Sequence, residues 1–289
     1  MRRHIRIVLV IILAMMIMTP VFAQTLFIAM EDGVALPILI YHHLDETGDG
    51  GTTISLTAFE EQMEALAEAG YEAVSCAQVV DYVQSGTPLP EQPVLITLDD
   101  GYTSNLELAA PVLQRLGLRA TVFIIGINVG CETRAPSGEP LMTPRFSFAQ
   151  AEPWVESGVI ELQSHTYDLH QLASSGYGRR DGMLRLTDES PEDYADAVLS
   201  DLACSCQQLQ DNTGNKVCAV AYPFGYYSDE TESLLTLCGI PMSLTVDHGI
   251  NRLIEGDTNC LRLLRRINVT DHCSGAELIL RLAQMKLTE

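Results

Sequence analysis

From Pro37 onward, short apolar runs alternate with amphipathic stretches. Residues 38–40, Ile-Leu-Ile, read as a buried strand. Thr57 stands where a helix begins, with Glu60 three residues on in capping-box position. Phe59, Met63, Leu66 and Ala67 then share one face at helical spacing, and Gly70 stops the helix. Residues 76–84 predict a second helix ending near Gly86. Residues 94–98 predict a strand buried on both faces, 105–116 a helix closed by Gly117, and 120–125 another strand. Helix 148–157 and strand 159–162 follow. Pro191 opens a long acidic helix reaching about residue 211. Strand 217–221, helix 228–238, strands 242–246 and 266–269, and a last helix over 274–286 complete the pattern. Such alternation predicts an α/β fold on a parallel sheet, open or closed into a barrel. Chemistry in such folds sits in loops after the C-terminal ends of strands. Residues 130–145 and 173–190, rich in Gly, Arg and acidic residues, read as surface insertions.

The first residues do not belong to this pattern. Arg2, Arg3 and Arg6 precede an apolar run over 7–18, then Pro20 and Val21-Phe22-Ala23. This is the layout of a secretory signal peptide over residues 1–23. The run is short for a membrane span, so contact with a membrane is expected only if the segment stays uncleaved. The expected location is secreted or at the cell surface. Residues 24–36 form a lead-in, and 37–289 a single catalytic domain.

At 47% hydrophobic residues the chain can build a sizeable core. Its 17 Lys and Arg against 38 Asp and Glu give a formal charge of -21. That excludes a nucleic-acid binder working through a general basic surface. An acidic surface is either simply solvated or attractive to a cationic polymer. Eight Cys lie beyond the signal segment with no CxxC pair. Export makes disulfides possible, but the spacing assigns none and supports no thiolate zinc site.

Four predicted strand ends carry chemistry. Thr97-Leu98-Asp99-Asp100-Gly101-Tyr102 puts two carboxylates side by side at the end of a buried strand. A cation on one would leave the other free as a base; an Asp-Gly turn with Asp99 capping the next helix is the plainer alternative. Ser164-His165-Thr166-Tyr167-Asp168-Leu169-His170 follows a second strand. A five-residue spacing does not align two His on an α-helix, but in a loop they can converge on one ion. Tyr41-His42-His43 follows a third, and His42 or His43 could serve as a general acid. His43 also reads as a solvent-facing neighbour. Ala221-Tyr222-Pro223-Phe224-Gly225-Tyr226-Tyr227 follows a fourth and can supply backbone N–H groups and an aromatic wall. Together these parts suit metal-assisted hydrolysis of an acyl group.

On the YHH start, Ala69-Gly70-Tyr71, Leu89-Pro90, TLDDGY, SHTYDLH, AYPFG and Arg266-Ile267-Asn268-Val269, residues 37–270 resemble the polysaccharide deacetylases of the NodB-homology type, carbohydrate esterase family four. The resemblance is strongest to the poly-N-acetylglucosamine deacetylases of the PgaB and IcaB kind. It implies a distorted (β/α) barrel with Asp100, His165 and His170 as ligands of a metal, usually zinc. It implies Asp99 as general base and the Phe224 N–H as an oxyanion donor. His42 would protonate the leaving amine, and Tyr226 or Tyr227 would offer a face to a sugar. Tyr222 would support the turn. The chain departs from the family where an Arg usually precedes the Pro-aromatic-Gly turn. Ala221 stands near that place, and Arg266 is expected to orient Asp99 instead. A late Leu-x-His motif is also missing, which is why the acid role falls to His42. The implied substrate is an N-acetylglucosamine polymer of exopolysaccharide or cell wall. The alternatives are an O-acetyl polysaccharide esterase and a glycan-binding module that has lost catalysis.

Overall fold

The computed structural model describes residues 33–131, 133–134, 139–140 and 143–288. The expected signal segment and most of the lead-in lie outside these residues. Among the described residues, no helix is long and apolar enough to cross a membrane.

The chain runs β1 (Val34–Leu36), β2 (Ile38–Tyr41), β3 (His43–Asp45), β4 (Thr53–Ser55), α1 (Leu56–Glu68), β5 (Glu72–Ala73), α2 (Cys76–Ser85) and β6 (Pro93–Asp100). A π-helical turn, Asn105–Ala109, leads into α3 (Ala110–Leu116). Then come β7 (Ala120–Ile124), the hairpin strands β8 (Thr133–Arg134) and β9 (Glu139–Pro140), α4 (Phe148–Glu156), β10 (Ile160–Ser164) and α5 (Pro191–Thr213). The last elements are β11 (Ala219–Ala221), α6 (Asp229–Leu237), β12 (Met242–Leu244), β13 (Asn251–Leu253), β14 (Ile267–Asn268) and α7 (Gly275–Thr288).

The main sheet has the order β12-β11-β10-β7-β6-β2-β14, all parallel, with β5 paired to β6. It curls back on itself. Leu264, shortly before β14, bridges Leu244 of the far edge strand in parallel, with Leu264 donating to the Ser243 carbonyl and Thr245 to the Leu264 carbonyl. The result is the distorted barrel that the resemblance implied.

Side-chain alternation sorts the strands into two cores. Leu39, Ile96, Leu98 and Val122 pack under the surrounding helices. Ile38, Leu95, Phe123, Ala219, Ala221 and Leu244 form a second cluster, joined by Val79, Val80 and Val83 of α2. All eight residues of β6 are buried. The two-residue period therefore gives Thr97 and Asp99 the same face as Leu95.

Several local expectations are corrected. The α1 cap is Ser55, whose Oγ accepts from Ala58 N, rather than Thr57. Asp271 fixes that Ser by accepting from its N–H and its hydroxyl, both at 2.8 Å. Glu60 does not close a capping box; it pairs with Arg115. The strand expected over 94–98 continues through Asp100. The helix expected from 105 opens as a π turn because Pro111, at the start of α3, has no N–H to give the preceding carbonyls. The lead-in includes β1, antiparallel to β13. Residues 173–190 lie mostly at the surface but are anchored: Met183 is fully buried, and Arg180, 8% exposed, pairs with Glu189 at 2.7 Å. All eight Cys are free, with Cys76 and Cys273 buried.

Candidate active site

Three loops at the C-terminal ends of β6, β10 and β11 meet, and each carries a non-glycine residue in the left-handed region: Asp100 (φ 74°), Thr166 (φ 71°) and Phe224 (φ 56°). Among the described residues only Leu263 shares this property. Such backbone is costly, of order 1–3 kcal/mol per residue, and persists where the surroundings force it.

The turn at Asp100 aims its carboxylate at the loop after β10. Asp100 Oδ1 lies 3.2 Å from His170 Nε2 and 3.6 Å from His165 Nε2. The ligand atoms of the three residues all lie within 4.8 Å of one another. His165 Nδ1 sits 2.7 Å from the Ala221 carbonyl. A carbonyl only accepts, so Nδ1 carries the proton and Nε2 turns a lone pair towards Asp100. Burial pushes the His165 imidazole down to about 4, so it is neutral at pH 7, the form that binds metals. Burial opposes ionisation of Asp100, but the facing imidazoles, His170 first, outweigh it and hold the carboxyl well below the usual range. Asp100 Oδ1 is buried and has no hydrogen-bond partner. An unsatisfied anionic oxygen between two imidazoles fits a divalent transition metal, which would satisfy all three donors at once.

Asp99 lies beside this cluster, its Oδ2 4.0 Å from His165 Nε2. Arg266 donates to both its oxygens, Nη1 to Oδ1 and Nη2 to Oδ2, each at 2.8 Å. Arg266 is itself fixed by Nε donating to the Thr245 carbonyl at 2.7 Å. Burial opposes the Asp99 charge; Arg266, then His165, overcome it and hold the carboxyl below its ordinary value.

His42 is half-buried between β2 and β3. Its carbonyl accepts from Asn105 Nδ2 at 2.7 Å. His43 is not a plain solvent-facing neighbour. Its Nδ1 lies 2.8 Å from Ser104 Oγ, its ring 5.1 Å from that of Tyr102, and burial lowers its pKa.

The turn Pro223–Gly225 forms the opposite wall. The Phe224 ring stands 4.4 Å from the His170 ring. No described residue accepts from its N–H. Phe224 and Tyr226, 40% and 38% exposed, leave aromatic surface open with ring centroids 6.5 Å apart. Tyr227 instead stacks on Tyr222 at 5.0 Å, so that face is closed to a sugar. Tyr222 is fully buried and donates to Glu232, which also binds Arg262 at 2.7 Å. Burial, then that hydrogen bond, raises the Tyr222 phenol far above its ordinary value.

Two parts of the site were not foreseen. The segment after His170 straps the turn: Gly182 donates to the Gln171 carbonyl and Met183 to the Tyr226 carbonyl. The Arg145 guanidinium carbon lies over Tyr102, 3.6 Å from the ring centroid. The first has no signal in sequence beyond its glycines, and the second joins residues from separate loops.

The chain is similar to known proteins. The family model described as "Polysaccharide deacetylase" matches residues 86–266. YxkH of Bacillus subtilis (strain 168), which bears a polysaccharide deacetylase name, is 26% identical over 250 residues, covering 86% of this chain and 77% of that protein. The poly-beta-1,6-N-acetyl-D-glucosamine N-deacetylase of Escherichia coli (strain K12) is 25% identical over 222 residues; these are 71% of this chain but only 33% of that enzyme. Among solved structures, IcaB from Ammonifex degensii superposes with a TM-score of 0.70 at 25% identity, covering 87% of this chain and 98% of that one.

Proposed function

The chain belongs to the polysaccharide deacetylase family, and from that premise we propose that it is an exported, metal-dependent N-deacetylase of an N-acetylglucosamine polymer. The observation that carries the proposal is the convergence of Asp100, His165 and His170 beside an Asp99 held by Arg266. The name of the Escherichia coli enzyme supports the choice of polymer. Export rests on the signal layout of residues 1–23, and cleavage would leave a mature N-terminus at Gln24.

Asp100, His165 and His170 would hold the metal, with zinc, cobalt and nickel all suited to such N/O donors. When bound, the metal supplies Lewis-acid polarisation of the acyl carbonyl and a lowered pKa for water. Asp99, kept ionised by Arg266, takes a proton from the attacking water. The Phe224 N–H, free of protein acceptors, donates to the carbonyl oxygen as charge develops there. His42 gives a proton to the departing nitrogen. The C–N bond breaks, and water is divided between acetate and a free amine on the sugar. Phe224 and Tyr226 present the apolar surface against which a sugar ring can rest.

The presence of every one of these groups weighs against a module that has lost catalysis. The test is acetate release from β-1,6-linked and β-1,4-linked N-acetylglucosamine oligomers and from O-acetylated xylan. Release from the β-1,6 oligomer in preference to the others is expected. Release from xylan alone would replace this reading with an O-acetyl esterase.

A further inference from the structure

The loop bearing both histidines has to be held in place from outside. Thr166, directly after His165, is fully buried at φ 71°, a region that β-branched residues avoid, and its hydroxyl oxygen has no partner. Nothing within the loop accounts for that conformation.

The support comes from α5. Asp201, Ser205 and Gln208 stand at i, i+4 and i+7, one face of the helix. Asp201 Oδ1 accepts from Tyr167 N at 2.8 Å and Oδ2 from Asp168 N at 2.7 Å. Ser205 Oγ meets Ser164 Oγ at 2.7 Å, and Ser164 Oγ accepts from Thr166 N at 3.1 Å. Gln208 Nε2 donates to the Gly126 carbonyl at 3.1 Å. Gly126 N and Ile127 N in turn donate to the carbonyls of Thr166 and Tyr167, at 3.0 and 2.8 Å. Gln171 Nε2 takes the Asp168 carbonyl at 2.8 Å. Every backbone polar group from Thr166 to Asp168 is therefore paired, and the central two N–H groups share one carboxylate.

Asp201 is 8% exposed. Burial pushes its carboxyl up to about 6, against the pull of the loop amides, so it is ionised at neutral pH with both oxygens accepting. Placing a carboxylate there is expensive, and a helix needs no such group to pack on a sheet.

We propose that Asp201 is a positioning residue for the metal-binding loop: by gripping the two consecutive N–H groups between His165 and His170, it sets the separation and direction of the two imidazoles. The inference rests on the metal reading above and deepens it.

The test uses the wild-type protein and Asp201→Asn. Asparagine keeps one acceptor and points an NH2 at the second loop amide. Zinc affinity is read by competition with a chromophoric chelator, the stability of the metal-free protein by thermal melting, and the loop by amide exchange at Tyr167 and Asp168. The expected result is a folded variant that binds zinc 10–100-fold more weakly, the usual effect of losing a group that orients ligands. Exchange at the two amides should be faster. Asp201→Glu, which retains both acceptors, should recover most of the affinity. Should Asp201→Asn fail to fold, Asp201→Ser, with room for a water, takes its place. A purely structural role would lower the melting temperature and leave zinc affinity unchanged in the folded variant; that result overturns the inference and leaves the metal site standing. A wild-type protein that takes up no zinc overturns both.

Discussion

Arg266 on the lead-in to β14 grips both oxygens of Asp99 at the end of β6, each at 2.8 Å, with both residues all but closed to water. The pair joins the strands on either side of β2, and it sets the charge state of the group assigned to take a proton. On the other side of the cluster the Ala221 carbonyl fixes the His165 tautomer.

Removing that guanidinium should be costly. Arg266→Ala leaves a buried carboxylate unpaired, a loss of about 3–5 kcal/mol in unfolding free energy. Arg266 depresses the Asp99 pKa, so the pair stabilises the fold above the unfolded Asp pKa, and this contribution fades as pH falls through the folded value. In the variant the Asp99 pKa rises, and the acidic limb of the pH–rate profile moves to higher pH. Urea melts and a pH profile check both effects; wild-type stability and an unshifted limb contradict the assignment.

The two adjacent aspartates should separate cleanly by mutation. Asp100→Ala, His165→Ala and His170→Ala each remove a donor from a three-donor set, and zinc content should fall far below one equivalent. Asp99→Asn should retain zinc and lose turnover by at least about 100-fold, the low end of general-base contributions. Zinc analysis alongside rate measurement separates them. Loss of zinc in Asp99→Asn would mean the two roles are misassigned.

His42→Ala should retain zinc and lower kcat by about 100-fold or more, as expected for loss of a general acid. Full activity in this variant would return the proton-donor role to another group, and His43, tied to Ser104, is the neighbour to test next.

Gly182 lies where the strap touches the aromatic turn. Its φ is 53°, and an added Cβ would stand 2.7 Å from the Pro223 carbonyl oxygen and 2.8 Å from Tyr226 Cβ. Gly182→Ala should cost about 1–3 kcal/mol of stability. It should also raise KM or lower kcat by displacing Phe224 and Tyr226, while zinc content is unchanged. Kinetics with thermal melting test this; wild-type kinetics would detach the strap from the site.

The grouping of the candidate site was legible in the sequence because each motif directly follows an apolar run, and in a parallel sheet those runs all end on one side. On that ground Asp99-Asp100, His165 and His170 gather at one end of the sheet, while their separate roles come from the resemblance. The local pattern was less informative. Thr57 and Ser55 are both competent caps, and only Asp271, far along the chain, decides for Ser55. The 173–190 segment reads as surface, and its Arg180–Glu189 anchor is hidden because such a pair has the composition of an exposed one. Asp201 was hidden for a similar reason: polar positions on an amphipathic helix are taken as solvated, and nothing local to α5 reveals a loop of orphan N–H groups above it. Tyr227, offered with Tyr226 as a face for a sugar, has one face stacked on Tyr222, a pairing that its place beside the motif does not reveal.

The most direct test of the account is acetate release from a β-1,6-linked N-acetylglucosamine oligomer by chelator-stripped protein titrated with zinc. The account predicts no release from the stripped protein and recovery that saturates at one zinc per chain. Undiminished release without metal, or a fully zinc-loaded protein that releases no acetate, would contradict it.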